Sequence, residues 1–344
     1  METRRLVLLM IFSLSLIMLW DNYQASIGKP TLFGLSTGSQ TSNKGEVAKQ
    51  SEGSNTANDL PQAAAPAGTA NVPADPNAIV ANATETAPAA QTITVKTDVL
   101  ELQFSSQGAQ LITSKLLNHP AAENPELPVQ LFEQTANRTY VGQAGLVGVP
   151  DAPNHRTLFE LVSGSTEFAP GQDQLKLVFK ATSGGVENTT TYTIFKNRYD
   201  IDLVINARNA GVEPVSPSAY VQITRDGNAL ESDSSLYATF TGPAVYTPEK
   251  KYQKISFDDI ADRSAEYVKT ADSGWLAMIQ HYFVSAIIGQ DGPRENYTRQ
   301  VEANLYSVGL VSSLGTVAPE QTATYSAKLY TGPQDQRVLE ELSP

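Results

Sequence analysis

Residues 93–106 read ITVKTDVLELQFSS, and the alternation of apolar and polar side chains along them decides the fold class. Leu100, Leu102 and Phe104 fall on one face, and the polar residues between them fall on the other. A period of two residues over this length is typical of a β-strand with one buried face. The turn-forming residues 106–108, Ser-Gln-Gly, follow directly and predict that the chain reverses there.

The same alternation recurs further along the chain, in QLKLVFKAT (174–182), TTTYTIFK (189–196) and YDIDLVINARN (199–209). Gly-rich and Asn-containing turns at 183–185 and 197–198 separate these strands. Short strands joined by such turns predict antiparallel sheets packed face to face, in one large sandwich domain over residues 92–332. Only two segments look helical, and they are the short DDIADRSA (258–265) and the closing stretch Gln334 to Leu342.

Composition removes several function classes. The 344 residues include no cysteine, so disulfides, thiol nucleophiles and thiolate metal sites are excluded. The formal net charge is -12, which argues against nucleic acid and anionic lipid surfaces as partners, since both attract basic proteins.

An apolar run from Leu6 to Trp20 follows Arg4 and Arg5 at the N-terminus. We interpret residues 1–28 as a transmembrane anchor whose span is about 6–23, with its N-terminus in the cytoplasm and the rest of the chain outside. A cleaved signal peptide is the alternative, because a run of this length also suits its apolar region. No small-residue cleavage site follows the run, and this favours the anchor.

Residues 29–91 are predicted to be a disordered linker. From residue 36 onward they are rich in Ala, Pro, Ser, Thr, Asn and Gln and contain no aromatic residue. Such a composition buries too little apolar surface to offset the entropy lost on ordering. A flexible coil of this kind reaches roughly 40 Å.

The second most apolar stretch, GWLAMIQHYFVSAII (274–288), allows three interpretations: a membrane span, the wall of an active site, or buried strands. Fifteen residues interrupted by Gln280 and His281 are too short and too polar for a span. β-Branched and aromatic residues dominate the second half, which favours strands. We therefore predict two short buried strands that meet at a bend around Gln280 and His281.

No catalytic, cofactor or metal site is predicted. His119, His155 and His281 are isolated in the sequence, and His155 is expected to be exposed in its PNHR loop. Asp258, Asp259 and Asp262 are read as a solvated acidic face. A groove for sugar or peptide remains an alternative because seven aromatic residues crowd into about 40 positions. They are Tyr246, Tyr252, Phe257, Tyr267, Trp275, Tyr282 and Phe283.

The N-terminal run, the linker and the strand containing VKTDVLEL resemble the beginning of Gram-negative YidC-type membrane protein insertases. YTPEKKYQKISFDDIAD (246–262), GWLAMIQHYFVSAII and LYTGPQDQ (329–336) are similar to that family's periplasmic domain. The resemblance runs in order from the first residue to the last, and only the linker is unmatched in detail.

The resemblance implies an all-β, antiparallel β-supersandwich with a galactose-mutarotase-like architecture, and a short C-terminal helix within 333–344. It also implies an inner-membrane location with the domain in the periplasm, and a non-enzymatic role in inserting, folding and assembling integral proteins. The implied partners are nascent inner-membrane proteins and the Sec translocon, including SecD/SecF through a surface within 208–262. The family's five further transmembrane helices are absent from this sequence. A membrane-tethered carbohydrate-binding or carbohydrate-active protein is the alternative, and fold alone does not support it.

Overall fold

The structure, a computed structural model, describes residues 59–62, 89–122, 124–229 and 239–337. These residues form two antiparallel sheets packed face to face. The predicted anchor lies outside the described residues, and so does most of the predicted linker. The closing helix predicted at Gln334 to Leu342 also falls largely outside them. No helix in the described part of the chain is long and apolar enough to cross a membrane.

The first sheet has the strand order β1-β2-β3-β6-β11-β18-β17-β14, and β4 and β5 pair with β3 and β6 at its side. Its strands are β1 (Thr92–Lys96), β2 (Leu100–Ser105), β3 (Gln110–Pro120), β4 (Pro128–Gln130), β5 (Glu133–Gln134), β6 (Thr139–Val147), β11 (Ser218–Asp226), β14 (Thr270–Ala271), β17 (Arg294–Glu302) and β18 (Leu305–Ser313).

The second sheet has the order β13-β12-β15-β16-β19-β10-β9-β8-β7. Its strands are β7 (Glu160–Gly164), β8 (Gln174–Ser183), β9 (Val186–Phe195), β10 (Asp200–Asn209), β12 (Thr241–Thr247), β13 (Lys251–Lys254), β15 (Trp275–Gln280), β16 (Phe283–Gly289) and β19 (Thr322–Pro333). One short helix, α1 (Phe257–Ala261), lies between β13 and β14. The prediction of an all-β, antiparallel, two-sheet architecture is confirmed.

The stretch 93–106 differs from the prediction of one continuous strand, because it is the hairpin β1–β2. The side chain of Thr97 accepts hydrogen bonds from the backbone N–H groups of Val99 (3.1 Å) and Leu100 (2.8 Å) and so forms the turn. A threonine hydroxyl that bonds two residues ahead replaces the bond that a continuous strand would make. The predicted inward face of β2 is correct.

The core lies between the two sheets. Its largest cluster draws on most strands of both sheets and includes the inward side chains of β2, β8 and β10, so the predicted inward faces of these strands are confirmed. The buried residues concerned are Leu100, Leu102, Phe104, Leu175, Leu177, Phe179, Ile201, Leu203 and Ile205. Burial on this scale contributes about 25 cal/mol for each Å² of apolar surface removed from water, and it is the main force that holds the sheets together.

The stretch 274–288 is the hairpin β15–β16, in which Gln280 pairs with Phe283. His281 occupies the first turn position, with a positive φ of 46°. The prediction of two buried strands meeting at a bend is confirmed. The membrane-span interpretation is wrong for these residues, since Trp275–Gln280 also pairs with β12 inside the second sheet.

Candidate functional site

The outer face of the first sheet, which points away from the second sheet, carries a chain of hydrogen-bonded polar side chains. Gln143 donates to Gln110 (2.8 Å), and Gln222 donates to Gln143 (2.6 Å). Tyr297 donates its hydroxyl to the oxygen of Gln222 (2.7 Å). These four residues come from β3, β6, β11 and β17, so the chain of bonds crosses most of the sheet. Such a connected polar network holds its members in one arrangement.

At two positions on this face, glycine leaves the space that neighbouring groups need to approach the sheet. A Cβ at Gly309 would lie 2.5 Å from the Tyr297 hydroxyl and 2.6 Å from Gln222 Cβ, so only glycine lets those side chains meet across β18. A Cβ at Gly145 would lie 2.7 Å from Asn154 Cα. The loop after β6 can therefore approach the sheet closely.

That loop places His155 against the sheet. The buried Tyr220 hydroxyl accepts from the His155 backbone N–H (3.0 Å) and lies 2.5 Å from Nδ1 of the same residue. Burial raises the pKa of Tyr220, so its hydroxyl stays protonated and donates to Nδ1. The imidazole proton then sits on Nε2, which lies 3.0 Å from the Asp59 carboxylate. The expected solvent exposure of His155 is wrong, since the residue is 3% exposed.

Residues 59–62, Asp-Leu-Pro-Gln, lie on this face although they come from the middle of the predicted linker. The Asp59 carboxylate accepts a hydrogen bond from Nε2 of His155. It also pairs with the Arg156 guanidinium, whose Nε lies 3.0 Å from Oδ2. The Arg299 guanidinium donates to the backbone carbonyl groups of both Asp59 and Leu60. The segment is therefore held through its backbone and through one acidic side chain.

The Leu60 side chain packs on an apolar cluster formed by Val147, Tyr220 and Val311, with Tyr297 beside it. The next residue, a proline, is buried. We call the surface formed by Val147, His155, Arg156, Tyr220, Gln222, Tyr297, Arg299 and Val311 the linker groove. It combines an apolar patch with a pair of arginines.

Burial and then the nearby Arg299 guanidinium lower the pKa of His155 from its ordinary 6.5 to about 4. The Asp59 carboxylate that faces Nε2 is shared with the Arg156 guanidinium. The imidazole is therefore neutral at pH 7, in agreement with the tautomer that its hydrogen bonds require.

The low pKa of His155 predicts a loss of stability in mild acid. The unfolded chain takes up a proton below pH 6.5 and the folded chain only near pH 4, so stability is complete above 6.5 and falls between those values. The loss is at most about 3 kcal/mol at 1.36 kcal/mol for each pKa unit. Urea unfolding at pH 7.0, 5.5 and 4.5 measures it, and His155→Gln should flatten the profile over this window. A profile unchanged by the substitution would contradict the assignment.

The other histidines do not form acid–base pairs with the described residues. His281 lies in its hairpin turn with Nδ1 3.3 Å from the Thr239 hydroxyl. His119 lies at the end of β3, with Nε2 3.2 Å from the hydroxyl of Tyr199. Within the described ranges, no group of three or more His, Asp or Glu side chains could hold a metal ion.

The three aspartates at α1 act at a helix end. Asp259 forms a capping box with Ser256, and Asp258 also lies in the first turn, where a negative charge favours the helix dipole. Asp262 is the C-cap residue of the same helix. All three are exposed, which suits the predicted solvated acidic face.

The crowded aromatic residues do not line one groove. Trp275 stacks on Tyr246 with the ring centroids 5.5 Å apart, and Tyr252 packs at its other edge. Phe257 stacks on Tyr306 of β18 in the first sheet, whereas Trp275 and Tyr246 belong to the second sheet. These rings pack against one another and against Tyr306, so their proximity in the sequence reflects packing.

Sequence reasoning missed the linker groove. Its residues come from positions between 147 and 311, its occupant comes from 59–62, and their side chains meet only in the folded sheet. One local signal existed, because Asp-Leu-Pro is the place where an acidic and a large apolar residue adjoin within an Ala-rich stretch.

A family model described as the YidC periplasmic domain matches residues 92–344. A relative from Bordetella petrii, named membrane protein insertase YidC, is 42% identical over all of this chain and 61% of its own length. A relative of the same name from Cupriavidus metallidurans is 40% identical and is covered over 60% of its length. The chain thus spans about three fifths of the curated relatives that it matches.

Solved structures that match part of this chain include a galactose mutarotase-like protein from Lactobacillus casei, with 9% identity and a TM-score of 0.45 over 70% of this chain and 100% of that chain. A putative aldose 1-epimerase from Escherichia coli K12 has 10% identity and a TM-score of 0.43 over 71% of this chain and 99% of that chain. The match of the family model over residues 92–344 shows that the chain belongs to the YidC periplasmic domain family.

Proposed function

We propose that this chain is the N-terminal region of an insertase that helps integral proteins enter, fold and assemble in the bacterial inner membrane, alone or beside the Sec translocon. The match of residues 92–344 to the YidC periplasmic domain carries the proposal. The names of the relatives that align with the whole chain support it.

The proposed arrangement puts the domain outside the cytoplasm on a tether. Residues 1–28 anchor the chain with a span at about 6–23, residues 29–91 link it, and 92–332 form the periplasmic domain. The final residues, 333–344, contain a helix that leads toward the insertase core, although the first of them, Pro333, still belongs to β19. The arginines before the apolar run support a cytoplasmic N-terminus, because positive charge is retained on that side.

The domain acts in this proposal as an accessory protein-interaction module without covalent chemistry. Membrane insertion draws its free energy from moving an apolar helix out of water, so no nucleotide or acid–base pair is required. The stacking of Trp275 on Tyr246 supports this proposal over the carbohydrate alternative, because the facing sides of the two rings are used in packing against each other.

Nascent inner-membrane proteins are the proposed clients, and SecD/SecF is the proposed partner for a surface within 208–262. Strand β11 is buried along its whole length, so it contributes little to such a surface. The edge strand β13 is better placed, since Tyr252 is 44% exposed on it and, among the described residues, β13 pairs with a strand on one side only.

A chimera tests the proposed function. The corresponding N-terminal region of the Bordetella petrii insertase is replaced by this chain, and a reporter membrane protein is followed in cells depleted of their own insertase. Insertion is expected to continue, and a photo-cross-linking residue at Tyr252 should capture a Sec component, whereas one at Val162 on the opposite sheet edge should not. A folded, membrane-located chimera that inserts nothing, or a cytoplasmic location of residue 92, would overturn the proposal.

A further inference from the structure

We propose that the linker groove is a recognition site for an extended peptide in which an acidic residue precedes Leu-Pro, and that residues 59–62 occupy it in cis. The proposal goes beyond the insertase assignment and does not depend on it. The docked segment is therefore a ligand of the site and also blocks it to other peptides.

The contact with Arg299 is one that any extended peptide could make. Its two terminal nitrogens donate to the carbonyl oxygens of Asp59 and Leu60, which are consecutive backbone groups. Gln222 also reaches the Asp59 carbonyl at 3.4 Å. A planar guanidinium with two parallel donors suits such paired acceptors. The backbone contacts set the direction and register of the peptide.

The side-chain contacts select among peptides. The Asp59 carboxylate lies between the Arg156 guanidinium and Nε2 of His155, so an amide or apolar residue at this position would lose a charged pair. The next residue must fill the apolar cluster that holds Leu60. Proline at the third position restricts the chain to an extended form before it binds, which lowers the ordering cost.

The groove is held in shape by the sheet beneath it. Arg299 lies 3.2 Å from the Gln222 oxygen, and that oxygen also accepts from Tyr297. Burial lowers the pKa of Arg299, which shows that its half-buried charge has lost part of its hydration. Its terminal nitrogens point at the carbonyl groups of Asp59 and Leu60, which replace part of the hydration that burial removes.

The surface next to the segment leaves room for a longer peptide. A shallow cleft of about 520 Å³ adjoins Arg299, and Tyr267, Lys269, Thr298 and Arg263 also line it. Three cationic side chains thus face this cleft, in a chain whose net charge is -12. Further acidic residues in a peptide would be attracted there.

Because residues 59–62 dock weakly and in cis, another peptide can displace them from the linker groove. Covalent attachment gives the segment an effective concentration on the order of millimolar, so a contact of four residues can be occupied although it is weak between separate molecules. A peptide that makes the same contacts and reaches further into the basic cleft would compete with it.

A titration of the full 344-residue chain tests the site. The probe is a fluorescein-labelled peptide of residues 55–66, and binding is followed by fluorescence anisotropy. A variant with Asp59→Ala and Leu60→Ala, which opens the groove, should bind the peptide at least about ten-fold more tightly than the unaltered chain. Arg299→Ala in that variant, or Asp59→Asn in the peptide, should each remove about ten-fold or more. Arg156→Ala is a second groove variant, since this surface side chain has little part in folding.

Equal affinity of the open and unaltered chains, or no binding by the open variant at millimolar peptide, would overturn the proposal. Because the chain has no cysteine, Pro61→Cys, at a buried position that leaves Asp59 and Leu60 in place, and the exposed reference Val212→Cys report docking by their alkylation rates. Pro61→Cys should react more slowly than the reference until Arg299→Ala or Arg156→Ala releases the segment. A rate that equals the reference, or that depends on protein concentration as docking between two copies would, also overturns docking in cis.

Discussion

Gly184→Ala is expected to destabilise the domain by about 3 to 4 kcal/mol, the sum of a strained backbone and an overpacked contact. Gly184 and Gly185 form the two-residue turn between β8 and β9, with φ values of 58° and 72°. A Cβ on Gly184 would lie 2.1 Å from the carbonyl oxygen of Pro150, so the turn and the loop 150–152 would have to separate.

Gly185→Ala is the matched control in the same turn. Its backbone strain is similar, but a Cβ there would meet only the Cα of Gly211 at 4.0 Å. It is expected to cost about 1 kcal/mol, from the left-handed backbone alone. The free energies of unfolding of both variants, measured in urea, separate the cost of backbone strain from the cost of the steric contact with Pro150. Equal losses for the two variants would show that the loop yields without cost.

Phe104→Ala is expected to cost about 3 to 5 kcal/mol, the range for deleting a fully buried phenylalanine ring. Phe104 comes from β2 in the first sheet, and its ring lies 4.7 Å from the ring of Tyr192 and 6.4 Å from that of Phe179 in the second sheet. The substitution therefore leaves a cavity between the two sheets, where no water can easily replace the lost contacts.

Phe104→Leu keeps most of the volume and is expected to cost about 1.5 kcal/mol or less. The difference between the two variants, measured as urea midpoints at constant slope, isolates the cavity term. A loss below about 1 kcal/mol for Phe104→Ala would mean that the sheets close over the gap, contrary to a rigid two-sheet core.

The strands could be predicted from sequence wherever one face is apolar. In β8 and β10 the alternation of Leu175, Leu177, Ile201 and Leu203 with polar residues was enough to set both strand and inward face. The break at Thr97 was missed because its hydroxyl forms the turn locally while the alternation continues through it. The alternation of apolar and polar residues alone cannot reveal a turn of this kind.

The linker groove lay beyond sequence reasoning for a different reason. Composition averages over a long window, so the Ala- and Pro-rich surroundings outweighed the three residues Asp59, Leu60 and Pro61. The burial of His155 depends on Tyr220, which is 65 residues away, and on glycine at 145. Contacts of this kind appear only when the register of β6 against β11 is known.

The position of β19 in the second sheet has a consequence for synthesis and export. This late strand, Thr322–Pro333, lies between β16 and β10, and without it the sheet consists of two separate four-stranded halves. Each half would present an unpaired inner edge, which invites association with other chains. Because the chain is synthesised from its N-terminus, it cannot complete this sheet until residues 322–333 have been made. Folding is expected to be a late, slow event, dominated by pairing between distant residues.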